Sequence, residues 1–135
     1  MRIDAHQHFW DLQRFDYAWM PPEPSVLRRN YLPEDLVPTL RRNRFDGSVV
    51  VQANALLAET RGLLELADAH EWIRGVVGWV DLTDPMVGRQ LDEFQQHPKF
   101  KGVRHIVHDE PEVEWLLRAD VLRGLHEVSR RGLPY

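Results

Sequence analysis

Four short apolar runs recur along this sequence, and each is followed by a longer amphipathic stretch. The runs are RIDAHQHF at 2–9, SVVVQA at 48–53, IRGVVGWV at 73–80 and FKGVRHIV at 100–107. Runs rich in β-branched residues, without strict alternation, are typical of strands covered on both faces in a parallel sheet. The intervening stretches predict helices. Leu36, Val37 and Leu40 share a face over 34–44, although Pro38 is tolerated only if it falls in the first turn. Leu63, Leu64, Leu66 and Ala67 do so over 58–71, with Glu65 and Asp68 turned outward. Thr83-Asp84-Pro85 reads as a helix start, with Val87, Leu91 and Phe94 in register as far as Gln96. Glu112–Arg131 reads as a helix in two pieces broken near Asp120, with Leu117, Val121, Leu125 and Val128 inward and Gly132 just past its end. Leu133-Pro134-Tyr135 resembles the opening of a fifth strand.

Strand–helix alternation at this spacing implies parallel strands joined by right-handed crossovers. Two closures are open to such a chain. One is a small open α/β sheet. The other is part of a (β/α)8 barrel, which typically needs ~250 residues, so that 135 residues make about half. The segment after the first strand is HQHFWDLQRFD rather than a Gly-rich phosphate loop, which weighs against the dinucleotide-binding form of the open sheet. The expected fold class is therefore α/β, the N-terminal half of a TIM-type barrel with about four βα units, and residues 1–135 form a single partial domain.

Composition narrows the function. No cysteine is present, which excludes a disulfide scaffold, a Cys-based zinc knuckle and thiol catalysis. Seventeen Lys+Arg face 21 Asp+Glu for a net charge of -4, so no basic stripe is available for a nucleic acid. No apolar run approaches the ~20 residues of a membrane helix, and the N-terminus MRIDAH carries no apolar secretory core. A cytoplasmic location, with neither nucleic acid nor membrane as partner, is the expectation.

The polar residues gather at the late ends of the apolar runs. Asp4, His6 and His8 share one face of the first, because strand side chains alternate with period 2. Two imidazoles on one face can converge on one ion or anion, and two histidines merely lining a polar pocket are the plain alternative. Gln52 and Asn54 follow the second run, and Trp79 and Asp81 the third. Arg104, Ile106 and His108 are expected on one face of the fourth, with His105 on the other. Parallel α/β folds build their sites beyond these carboxyl ends. Arg104 is suited to a carboxylate or a polarised ester oxygen, or to a buried pair with Asp4 or Asp81. Trp10, Phe15, Tyr17 and Trp19 crowd the loop after the first strand, either packing over the mouth of the fold or forming an aromatic wall for a sugar-like ring.

The segments IDAHQHFW, DYAWM, GVVGWVDL and FKGVRHIVHDE resemble the amidohydrolase-superfamily branch of sugar-lactone hydrolases, the L-fuconolactonase-like and L-rhamnono-lactonase-like proteins. The resemblance implies a (β/α)8 barrel whose remaining site histidines and strand-eight aspartate lie beyond residue 135. It implies hydrolysis of an aldonolactone by water attack on the ester carbonyl, with carbohydrate metabolism as the setting. It matches His6 and His8 to the family's strand-one pair, as candidate ligands of a divalent metal such as zinc or as direct orienters of the carbonyl, and metal use varies across this branch. It matches Arg104 and His105 to the strand-four Arg-His segment. The candidate catalytic residues are His6, His8 and Arg104, and the candidate substrate contacts are Gln52, Trp79 and His105. The expected partner is a small sugar lactone, with self-association through open barrel edges. Two other readings stand beside it: a metal-dependent decarboxylase of the same superfamily, and a non-catalytic half barrel that acts by association.

Overall fold

A computed structural model describes residues 1–135. Strands β1 (Ile3–Gln7), β2 (Gly47–Val51), β3 (Ile73–Gly78) and β4 (Phe100–Val103) form one parallel sheet in the order β1-β2-β3-β4. Helices α1 (Pro33–Arg42), α2 (Leu57–Ala69), α3 (Val87–Gln95) and α4 (Ala119–Arg130) follow the four strands in turn. Two single 3-10 turns, Val107–Asp109 and Trp115–Leu117, occupy the segment between β4 and α4.

The core lies between the sheet and its helices. Val50 and Val76 are paired across β2 and β3 and fully buried. They join Leu63 and Ala67 of α2, Leu91 and Phe94 of α3, and Val121 and Val128 of α4 in one apolar cluster. Each valine, leucine or phenylalanine among them contributes roughly 1.5–3 kcal/mol by leaving water. Gly78 is required where α2 crosses β3, because a Cβ there would overlap Thr60 Cγ2. Gly132 takes φ +69 just after α4, the left-handed turn that ends a helix.

Several boundaries depart from the sequence expectation. The helix foreseen from Thr83 begins at Val87. Thr83 Oγ1–H donates to Asp81 Oδ1 at 2.6 Å and Met86 N–H to Asp84 Oδ1 at 2.7 Å. These local side-chain bonds hold residues 81–86 as a turn in competition with the helix. Pro38 lies inside α1 rather than in its first turn, on an exposed face. The two-piece helix after β4 breaks at Arg118, and its first piece is a 3-10 turn that buries Trp115 and leaves Leu117 68% exposed, not inward. The last residues make no assigned strand, but Pro134 O accepts Val103 N–H at 3.0 Å beside β4.

Strand β4 is four residues long and stops at Val103. Arg104 N–H still bonds Gly78 O at 2.9 Å, after which the chain turns away from the sheet. Arg104, Ile106 and His108 are therefore loop residues, not one face of a strand. No helix is long and apolar enough to cross a membrane.

Candidate active site

The candidate residues gather at the carboxyl ends of the strands. His6 and His8 do emerge on one side of β1, their Nε2 atoms 3.2 Å apart and their rings edge to face. The next residue, Phe9, turns the opposite way, into the core against Trp72. His8 Nδ1–H donates to Val51 O at 2.8 Å. That bond fixes the tautomer and leaves a lone pair on Nε2. Burial pushes the His8 pKa down, so its imidazole is neutral at physiological pH. The spacing of the two Nε2 atoms suits a hydrogen bond donated by His6. It equally suits two ligands of one tetrahedral ion, since bonds of about 2.0–2.1 Å place such nitrogens about 3.3 Å apart. The backbone carbonyl behind His8 is the usual outer partner of a metal-binding imidazole. No cluster of three or more His, Cys, Asp and Glu side chains forms, so the pair is at most part of a ligand set.

Arg104 and Gln52 hold each other. Arg104 Nη1–H donates to Gln52 O at 3.0 Å, and Gln52 Nε2–H donates to Arg104 O at 3.3 Å. Gln52 is completely buried, so it braces Arg104 and does not line the cavity. The buried Arg–Asp pair is not formed. Asp81 caps Thr83, and Asp4 Oδ1 accepts the backbone N–H of His6.

Trp79 and His105 also meet. Trp79 Nε1–H donates to His105 Nδ1 at 2.9 Å, so the other ring nitrogen carries the proton and donates to Glu110 Oε1 at 2.5 Å. Trp115 stacks on the same ring at 4.1 Å and 12°. With both nitrogens and a face engaged, His105 pins the loop after β4 to the end of β3.

A cleft of about 480 Å³ opens beside His8 and Arg104. Trp10, Trp19, Leu27 and Ile106 form its apolar wall, and His108 and Asp109 its rim. His6 is exposed and reaches the cleft only through His8. The aromatic loop is anchored by its indole N–H groups: Trp10 to Leu27 O and Arg29 O, and Trp19 to Ala53 O at 2.7 Å. The two rings meet edge to face at 5.6 Å and 88°. The loop thus both covers the mouth and presents ring surface to the cavity.

Glu59 escaped the sequence reading. It is 1% exposed, at the start of α2, and its carboxyl accepts the N–H groups of Ala53 and Asn54. Burial raises its pKa to about 7 in spite of those bonds and of nearby Arg104. Burial, with the Glu59 carboxylate beside it, raises Tyr17 to about 12. The available signal was position: 59, 63, 66 and 67 fall on one helical face, and the other three are apolar.

The description of the matching family is amidohydrolase, and its model covers residues 3–135. An L-fucono-1,5-lactonase of Burkholderia multivorans is 40% identical over all of this chain and 46% of its own length. An L-fucono-1,5-lactonase of Burkholderia ambifaria is 36% identical over 85% of this chain and 40% of its own. The crystal structure of a Burkholderia multivorans amidohydrolase with bound zinc superposes with a TM-score of 0.91 at 38% identity, over 98% of this chain and 47% of that one. The chain spans about half the length of the relatives it matches, and its four parallel βα units correspond to about half of a TIM-barrel amidohydrolase. It belongs to the amidohydrolase family.

Proposed function

We propose that this chain builds the strand-one to strand-four part of an active site that opens a sugar-derived lactone. The observation that carries the reading is one cleft in which a neutral imidazole lone pair, an arginine and an aromatic wall face a common space at the strand ends. Relatives named L-fucono-1,5-lactonase support an aldonolactone as the substrate class.

Hydrolysis adds water to the ester carbonyl, passes through an oxyanion, and breaks the ring C–O bond to give the open hydroxy acid. One water proton goes to a base and one proton returns to the ring oxygen. Arg104 keeps N–H donors beyond the one given to Gln52 O, and these hold the carbonyl oxygen as it gains charge. His8 Nε2 lies against His6 Nε2 at the edge of the same space, so the two rings present one shared nitrogen site there. Trp19 and Trp10 exclude water from one side and pack on the ring's apolar face. His6 and His8 fit as two ligands of a divalent ion, which when bound polarises a carbonyl or acidifies a water. The proton-accepting base and the remaining ligands come, in this reading, from the second half of the barrel.

The test is acid release from L-fucono-1,5-lactone by the barrel completed with strands five to eight. Arg104→Met should lower turnover by about 10²–10³, the usual effect of removing one oxyanion donor. His8→Ala should cost far more than His126→Ala, since His126 is exposed on α4. Equal, small effects of all three substitutions would remove the basis for the reading.

A further inference from the structure

Glu59 does not line the cleft, yet the attachments that shape the cleft run through the backbone it holds. Its Oε2 accepts Asn54 N–H at 2.9 Å and Ala53 N–H at 3.1 Å. Oε1 lies 3.2 Å from the same Ala53 nitrogen. The segment 52–54 leaves β2 here, so these two N–H groups have no strand partner, and buried N–H groups require one. Three other polar groups of the segment hold the site or the aromatic loop beside it. Gln52 O receives Arg104 Nη1–H, Ala53 O receives Trp19 Nε1–H, and Asn54 Nδ2–H donates to Asp16 O in the aromatic loop. Ala53 itself forms part of the cleft wall.

Packing alone does not call for an acid at this position. Leu63, one turn later on the same face of α2, is an ordinary core residue. A leucine at 59 would continue that stripe and avoid the desolvation of a carboxyl group. The titratable groups around the carboxyl are Tyr17, Asp11 and Arg14 of the aromatic loop, with Arg104 on the side of the cleft.

We propose that Glu59 is a positioning residue of the cleft: by holding the N–H groups of Ala53 and Asn54 it sets the carbonyls that orient Arg104 and Trp19. Its relevance to catalysis rests on the cleft being the lactone site. The experiment reads geometry, so failure of that reading and failure of this one are separate results.

The experiment is amide exchange and side-chain NMR on the 15N-labelled barrel completed with strands five to eight. In Glu59→Leu, protection of the Ala53 and Asn54 amides should fall by about ten- to a hundredfold, as for bonds lost to a charged acceptor. The Trp19 indole N–H and Arg104 side-chain N–H resonances should shift with it. Glu59→Gln keeps an acceptor where Oε2 sits, for Asn54 N–H above all, but turns its NH2 toward the Ala53 nitrogen, so it should bring the resonances part of the way back. Thr60→Val removes a neighbouring buried hydroxyl that holds Trp79 instead. It should lower stability and leave the Trp19 indole resonance in place.

Should Glu59→Leu not fold, the wild-type barrel decides. Its Trp19 indole and Arg104 side-chain N–H resonances should then move with the Ala53 and Asn54 amides through one common midpoint that Glu59→Gln abolishes. The proposal is overturned by unmoved Trp19 and Arg104 resonances in folded Glu59→Leu, by equal movement of the Trp19 indole in Thr60→Val, or by the absence of that common midpoint.

Discussion

His8 Nδ1 lies 2.8 Å from Val51 O, so the second strand decides which nitrogen of the first strand's histidine faces the cleft. The bond gives the neutral ring one orientation and one tautomer, and it needs nothing beyond the β1–β2 pairing to form.

A first prediction concerns His8 and pH. Burial lowers its pKa from 6.5 in the folded chain. Below 6.5 the unfolded chain therefore binds more protons than the folded one, and stability rises with pH through that window. Acidification from pH 6.5 downward should destabilise the chain through His8, and His8→Asn should remove that contribution. Histidine NMR should show the His8 ring titrating below 6.5. Titration of His8 above 6.5 would mean that the ring is not buried as described.

Glu59 should act with the opposite sign. Its pKa rises from 4.5 to about 7 on folding. Between those values the folded chain holds the extra proton, so stability falls as pH rises from 4.5 to about 7. The shift corresponds to ~3 kcal/mol at 1.36 kcal/mol per pH unit. Urea unfolding at pH 5 and pH 8 should show Glu59→Gln gaining relative to wild type at the higher pH. An unchanged difference between the two pH values would contradict a buried, titrating carboxyl.

Gly78→Ala tests the crossing of α2 over β3. The added methyl overlaps Thr60 Cγ2, and overpacking of this kind typically costs about 1–3 kcal/mol. Thr60→Ser removes the offending methyl and keeps the hydroxyl that bonds Trp79 N–H and O. The double substitution should therefore recover part of the loss, a coupling that thermal unfolding of the four variants measures. Simple additivity would show that the strain lies elsewhere.

The strand–helix order was legible because parallel strands and their crossover helices carry different hydrophobic periods. Which face of a strand meets the helices was less so. Val50 is fully buried in the helix-side core, whereas Val77 and Ile106 are partly exposed. Both faces of a run such as SVVVQA carry valine, so its alternation does not mark the outside. The His6–His8 convergence followed from period 2 alone. The engagement of His105 did not, because Trp79, Glu110 and Trp115 reach it through tertiary contacts across the loop after β4. Glu59 was hidden for the same reason: its partners are backbone N–H groups, and a sequence shows no special letter for those.

The last prediction concerns association of the purified 135-residue chain. The sheet has two edges, β1 and β4, and β4 is met on its outer side only by Pro134 O. Barrel closure removes such edges, and an open one templates pairing with another chain. Val77 and Ile106 are partly exposed, and Val113 and Leu117 are exposed at 101% and 68%. Burying each is worth roughly 1.5–3 kcal/mol, so several together rival the ~5–15 kcal/mol stability of a whole domain. The burial of Val50 lessens this drive and the free edges preserve it. Sedimentation should therefore give a mass that rises with concentration, and exchange should be faster in β1 and β4 than in β2 and β3. A monodisperse monomer whose edge-strand amides are protected to the global unfolding limit would show that four βα units suffice as a closed fold.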